Sequence, residues 1–501
     1  MPDTPFDPGF QSVEDEYTRE VLPVAGTIPD WLSGMLVRNG PGKFDVDGRH
    51  LRHWFDGLAM LRKYEFADGA VQYSNRFLRT ESYAAALEGR VTGQFGTDER
   101  GLSKLRGLLA RLGPPEPTDN ANVHVARIDD TFVALTEVPR WVEFDPETLE
   151  TRGEFVFRDL LDAHMITAHL VEDPHRTEHV GHALQFGRTH EYRLFRLPHG
   201  TRRREQIASL PTEKPAYVHS IGVSESSVVL VETPLRIDVK RTLSPFTEGF
   251  FDLLVWDDDR NTRFVVVDRD TGSVVRDTTT DPFFTFHVVN AYDDGDAVVV
   301  DLVEYEDDGI IEAMTMTALE KGGFAEVPPG RLVRYRIPGV GDGSHHRKRH
   351  HPGGVTRQQL YVGGIELPTV RREVVTRPHR YVYGQATDRE GANGLVRVDT
   401  RTGTAREWWE PGLYVEEPIP VWRPDGDTDD DPGTESAEEG QSNLKPENTA
   451  ESEGVVLVTA LDADAERSVL LVFDAATLTE RARAPLPQHD PFGFHGRFFF
   501  T

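Results

Sequence analysis

Short runs that alternate apolar and polar residues, each closed by a turn, constrain this chain more than any other feature. Met60-Leu61-Arg62-Lys63-Tyr64-Glu65-Phe66 alternates with period two, Ala67-Asp68-Gly69-Ala70 follows, and Val71-Gln72-Tyr73-Ser74 begins the return. Successive side chains of a strand point to opposite faces, so each run buries one face, and Asp-Gly tolerates the left-handed backbone of a tight hairpin. The unit recurs at Phe144-Asp145-Pro146-Glu147-Thr148, Val267-Asp268-Arg269-Asp270-Thr271-Gly272, Val398-Asp399-Thr400-Arg401-Thr402-Gly403 and Phe473-Asp474-Ala475-Ala476-Thr477. In each, an aspartate able to cap its own turn is followed by Thr or Gly, between two strand-like runs. Hairpins repeated along a chain of 501 residues predict an all-β fold in one domain, residues 1–501. A β-propeller satisfies the pattern because its radial blades expose only short edges; a pair of large β-sandwiches is the alternative.

Two stretches break the rhythm. Gly101-Leu102-Ser103-Lys104-Leu105-Arg106-Gly107-Leu108-Leu109-Ala110-Arg111-Leu112 spaces its leucines helically, keeps Lys104, Arg106 and Arg111 off that stripe, and ends at Gly113-Pro114-Pro115. Segment 83–115 is therefore expected to form a helical cap or membrane-contact element, with 101–112 packed on the propeller or lying on an anionic bilayer. Residues 425–453 combine Asp429-Asp430-Asp431 and Glu438-Glu439 with a single Lys and many small polar residues, the composition of an acidic, disordered surface insertion.

The formal charge of −29 argues against nucleic acid as a partner, since phosphate binding needs a basic face. Only 8 of the 55 basic residues are lysines, against 84 acidic ones, a balance that resembles the proteins of salt-in halophiles. The absence of cysteine excludes disulfides and thiolate chemistry, so any metal would be held by nitrogen and oxygen. Met1-Pro2-Asp3-Thr4-Pro5 lacks the basic and apolar regions of a signal peptide, and no apolar run is long enough to span a bilayer. The expectation is a cytoplasmic, non-spanning protein.

Three histidines end apolar, strand-like runs: Ala216-Tyr217-Val218-His219, Phe284-Thr285-Phe286-His287 and Pro491-Phe492-Gly493-Phe494-His495. One such residue reads as a core histidine bonded to a backbone carbonyl. Three of them suggest a metal site, because neutral imidazole is the commonest protein metal ligand and propeller strands converge on one axis. The denser run Ser344-His345-His346-Arg347-Lys348-Arg349-His350-His351 lacks apolar neighbours and precedes Pro352-Gly353-Gly354, so it reads as a solvated loop.

From Leu36 to Arg497 the chain resembles the carotenoid cleavage oxygenases, a family that includes apocarotenoid oxygenases, stilbene-cleaving dioxygenases and the retinal pigment epithelium isomerase. The resemblance rests on Leu36-Val37-Arg38-Asn39-Gly40-Pro41-Gly42, His53-Trp54-Phe55-Asp56-Gly57-Leu58-Ala59-Met60, Thr167-Ala168-His169, Tyr217-Val218-His219, Phe284-Thr285-Phe286-His287-Val288-Val289-Asn290-Ala291-Tyr292, Arg380-Tyr381-Val382-Tyr383-Gly384 and Gly493-Phe494-His495-Gly496, in that order. It implies a seven-bladed propeller with a small helical cap over its top face and an Fe(II) on the axis held by His169, His219, His287 and His495. His169 comes from the Thr-Ala-His context, with His164 and His175 close by. Glutamates of the family orient three of these ligands, and the matching positions pair Glu137 with His219, Glu366 with His287 and Glu417 with His495; Glu416 is the neighbouring alternative to Glu417. A ligating histidine commonly donates its other N–H to such an acceptor.

The activity so implied is dioxygen-dependent cleavage of a C=C bond in a carotenoid or apocarotenoid, giving two carbonyl products. The substrate would be an apolar conjugated molecule held in a dry tunnel, for which Phe246, Phe250, Phe251, Leu254 and Trp256 are the candidates after Pro245. It would come from a bilayer, with 101–112 as the peripheral contact. Stilbene cleavage is the first rival, but stilbene-cleaving relatives carry a lysine where Thr136 stands. An isomerase would use the same iron site, and a propeller that merely binds lipid is the rival of another class.

Overall fold

The computed structural model describes residues 4–91, 95, 118–243, 249–322, 327–340, 354–389, 393–424 and 453–501. The 101–112 stretch, Phe246, the histidine-rich loop at 345–351 and the acidic stretch up to residue 452 lie outside the described residues. Within 83–115, the chain described begins in a helix, Glu81–Leu87, capped by the Thr80 hydroxyl accepting the Tyr83 N–H.

Seven antiparallel sheets of four to six strands follow one another around the ring. The innermost strands of blades I to V are His124–Ile128, the pair Met165–Ile166 and Val171–Asp173, Gly222–Val223, Val288–Asp294 and Ile365–Thr369. Blade VI starts with Leu413–Val415 and Ile419–Trp422, and blade VII with Gly496–Phe500. Blade VII is built from both ends of the chain: Gly496–Phe500 pairs with Gly34–Lys43 in the register Arg38↔Gly496 to Gly34↔Phe500. The strand Ala25–Gly26 also joins the outer edge of blade VI. Closure of the ring therefore depends on residues more than 450 positions apart, which local patterning cannot specify.

The hairpin echo of the sequence marks one place in the blade. Asp145, Asp268, Asp399 and Asp474 each stand between the third and fourth strands of blades I, III, V and VI. In each, Oδ1 accepts the N–H groups two and three residues on, as Asp474 does from Ala476 at 3.0 Å and Thr477 at 2.8 Å. The residue four positions on then adopts positive φ: Leu149 (59°), Gly272 (70°), Gly403 (70°) and Leu478 (53°). Leucine tolerates this strained backbone at two of the positions because its side chain is buried there. The Asp68-Gly69 turn is likewise as expected, with φ of 50° and 75° and Ala67 paired to Ala70.

Valine- and leucine-rich faces of adjacent sheets pack into the core, as with Val298, Val300 and Leu302 against Val229 and Phe264. Two short helices, Gly309–Ala313 and Met316–Gly322, follow the second strand of blade IV. The first holds the His53–Asp56 turn, because the buried His53 Nε2 meets the Ile311 carbonyl at 3.0 Å.

Candidate metal centre

Each of the four histidines lies next to an innermost strand. His287 and His495 immediately precede Val288–Asp294 and Gly496–Phe500, His219 lies just before Gly222–Val223, and His169 interrupts the two short inner strands of blade II. One ring nitrogen from each of His169, His219, His287 and His495 falls within 4.8 Å of the others. Ring centroids are 4.3 Å apart for His169 and His219, 4.4 Å for His169 and His495, and 5.1 Å for His287 and His495. His164 and His175 stand elsewhere, the first accepting the Phe186 N–H and the second meeting the Glu373 carbonyl. The Thr167 hydroxyl fixes His169 from behind, accepting its N–H at 2.9 Å while donating to the His219 carbonyl at 3.0 Å.

The remaining three blades each contribute a glutamate. Glu137 follows the second strand of blade I, Glu366 lies in the bulged inner strand of blade V, and Glu417 separates the two inner strands of blade VI. The His219 Nδ1–H donates to Glu137 at 2.6 Å, His287 to Glu366 at 2.6 Å and His495 to Glu417 at 2.7 Å. With Nδ1 so engaged, the lone pair of Nε2 faces the axis. Buried carboxylates need donors, and these find them: Tyr217 donates to Glu137 at 2.9 Å, Tyr305 to Glu366 at 2.6 Å, and the Gly496 N–H to Glu417 at 2.8 Å. Glu416 instead accepts from Thr459 and the Gly493 N–H and pairs with Arg38, so Glu417 is the partner of His495. No carboxylate among the described residues bonds His169.

Burial and then neighbouring imidazoles hold His169 and His495 well below the usual histidine pKa. At His287 burial acts in the same direction, but the charge and hydrogen bond of Glu366 outweigh it and raise the pKa. Burial lifts Glu417, with Arg38 opposing. Nε2 of His169 and of His287 are buried with no hydrogen-bond partner, a costly arrangement unless something else fills the lone pairs. A divalent metal does so, and four imidazoles, three of them with carboxylate-oriented rings, fit it.

Aromatic rings cover one side of the cluster. Phe286 packs on His219 at 5.3 Å, and Phe55 bridges Phe286 at 6.2 Å and Phe494 at 5.5 Å. Of the sequence candidates for the tunnel, Phe250 joins this wall through Tyr217 at 6.0 Å and Phe95 at 5.7 Å, and Phe251 joins through Phe95 at 6.1 Å. Leu254 and Trp256 form a ribbon with Ile237 and Leu235, half-buried against the same apolar cluster. Phe55, Phe95, Tyr217, Tyr305 and His124 were not singled out from the sequence. For Tyr217 the signal was there, two residues before His219; Phe95 and His124 carry no local sign of what they meet.

The model for the retinal pigment epithelial membrane protein family matches residues 10–500. A carotenoid isomerooxygenase of Galleria mellonella is 30% identical, covering 98% of this chain and 95% of that protein. A mitochondrial carotenoid-cleaving dioxygenase of Mustela putorius furo is 28% identical, covering 95% and 93%. A cobalt-substituted Synechocystis apocarotenoid oxygenase matches the fold with a TM-score of 0.82 at 24% identity, covering 99% of each chain. That last likeness speaks for the propeller alone, whereas the match over residues 10–500 and the 30% relative reach the whole sequence. The chain belongs to the carotenoid cleavage oxygenase family.

Proposed function

We propose that this protein is a non-haem Fe(II) dioxygenase that splits one C=C bond of a carotenoid or apocarotenoid. One oxygen atom goes to each carbon, so the two carbonyl products balance without an outside reductant. The observation that carries this reading is the meeting of four axial imidazoles with a wall of phenylalanines. Fe(II) held by His169, His219, His287 and His495 supplies the redox chemistry that triplet dioxygen needs to react with a closed-shell alkene.

The protein's own part is positioning. Glu137, Glu366 and Glu417 lock three imidazoles in one tautomer. Phe55, Phe286, Phe494, Phe250 and Phe251 offer flat apolar surface for a polyene, exclude water and hold one double bond beside the cluster. No side chain is required as nucleophile or base. Thr136 is buried, with its carbonyl accepting the Trp141 indole N–H at 2.8 Å; it offers no cation to a phenolic stilbene. No helix of the described residues is long and apolar enough to cross a membrane. The leucine-rich 101–112 stretch with its three basic residues is assigned as the contact with the bilayer from which such a substrate partitions.

The test is anaerobic loading with Fe(II), then incubation with carotenoids, apocarotenals and stilbenes under ¹⁸O₂. Stoichiometric iron and two aldehydes, each carrying one ¹⁸O, are expected from a carotenoid or apocarotenal. Failure to retain iron, or turnover of stilbenes alone, overturns the reading.

A further inference from the structure

Inner strands of all seven blades line a cavity of about 750 Å³. At one end stand His124, His169, His287, His495 and Glu417, whereas Phe55, Phe286 and Phe494 do not border it. The cluster thus stands between the wall of Phe55, Phe286 and Phe494 and a separate axial cavity of mixed lining. Arg127, Asp129, Asp130, Glu172, Arg372 and Arg497 bring charge to this cavity, beside apolar side chains such as Val288 and Ile419.

Glu172 spans that channel. Its Oε1 accepts from Arg372 at 2.6 Å and its Oε2 from Arg497 at 2.6 Å. Glu172 belongs to blade II, Arg497 to blade VII, and Arg372 follows the inner strand of blade V. These blades are not neighbours in the ring, and inner segments of non-neighbouring blades meet only across the axis. The ion triad is therefore a crossbar. Burial works against the charge of Glu172, but Arg497 and Arg372 prevail and hold its pKa at about 2, so the crossbar persists over the working range of pH.

A divalent ion cannot shed its water into a passage of phenylalanines without a prohibitive desolvation cost. The axial cavity gives it water and charge: at ~30 Å³ per molecule it holds roughly 25 water volumes. At its inner end the unpartnered nitrogens His124 Nδ1, His169 Nε2 and His287 Nε2 are buried.

We propose that the axial channel is the route by which the metal enters and leaves the four-histidine site, with the Glu172–Arg372–Arg497 crossbar as its gate. The proposal rests on the cluster being a metal site and concerns rate, since none of the three side chains hydrogen-bonds a ligand imidazole. Arg372→Ala removes one arm and one positive charge; its side chain is 59% exposed, so the fold survives. Glu172→Gln leaves two guanidinium groups uncompensated on the path.

Metal-free protein mixed rapidly with Co²⁺, followed by visible absorption and then by chelator-driven release, separates the two rates. Arg372→Ala should speed uptake and release alike by about tenfold with an unchanged Kd, and Glu172→Gln should slow uptake by about tenfold. Uptake at the wild-type rate in both variants, or a changed Kd that accounts for the rates, overturns the gate. Wild-type protein that binds no Co²⁺ at equilibrium refutes the metal site itself and the gate with it, a result distinct from normal binding with unaltered kinetics.

Discussion

Replacing Glu366 tests whether a carboxylate behind a ligand imidazole tunes the site. Its two oxygens accept three hydrogen bonds, from the His287 Nδ1–H, the Tyr305 hydroxyl and the Leu367 N–H, each at 2.6 Å. In Glu366→Gln the amide oxygen can keep the His287 and Leu367 bonds while the Tyr305 hydroxyl turns to accept from the new NH₂, so shape is conserved and only the charge is lost. Loss of such a partner weakens metal binding by about 10- to 100-fold, or about 1.4–2.7 kcal/mol. Glu366→Ala leaves all three donors without their acceptor; at about 1–3 kcal/mol for each unsatisfied buried group, stability falls by at least about 3 kcal/mol. Co²⁺ titration by visible absorption reads the first effect and urea unfolding the second. The expected order of affinity is wild type, Gln, Ala, with only Ala strongly destabilised. Wild-type affinity in Glu366→Gln, or equal stability of the two variants, would refute the reasoning.

Deleting residues 495–501 removes His495 and the strand that pairs with Gly34–Lys43. Phe498 and Phe499, half-buried against two separate core clusters, alone carry about 3 kcal/mol of burial, so the melting temperature should drop sharply and Co²⁺ binding should vanish. At equivalent turn positions, Gly272→Ala places a Cβ 2.1 Å from the Ile207 carbonyl, whereas the nearest atom at Gly403 is 3.5 Å away. Gly403→Ala should cost only the left-handed penalty of about 1 kcal/mol and Gly272→Ala clearly more, as compared by chemical denaturation. Burial holds His53 and His179 at a pKa of about 4, below the unfolded value of about 6.5. Their stabilising contribution is complete above pH 6.5 and is lost as pH falls towards 4, up to about 3 kcal/mol each; unfolding free energies at pH 7 and pH 5 should differ, and His53→Gln should lessen the difference.

The turns were legible because their chemistry is local. An aspartate, its own amides two and three residues on, and a left-handed residue after them need no distant partner, so the motif in blades I, III, V and VI was readable before any blade was known. His219, His287 and His495 stood out for a similar reason, each ending an apolar run. His169 did not: it lies between strands of two and three residues, and two other histidines lie near it. Only the resemblance separated them; the structure brings His169 together with His219, His287 and His495.

Sequence alone determined the alternation that makes strands, the cysteine-free chemistry that leaves nitrogen and oxygen for a metal, and the succession of histidines and glutamates around the ring. Tertiary structure decided what those residues meet. It set Glu417 rather than Glu416 behind His495, placed the Tyr217 and Tyr305 hydroxyls on glutamates 80 and 61 positions away, and drew Glu172 to Arg497 across 325. Such contacts have no signature in neighbouring residues, because they exist only once the first and last strands pair and all seven inner strands share one axis.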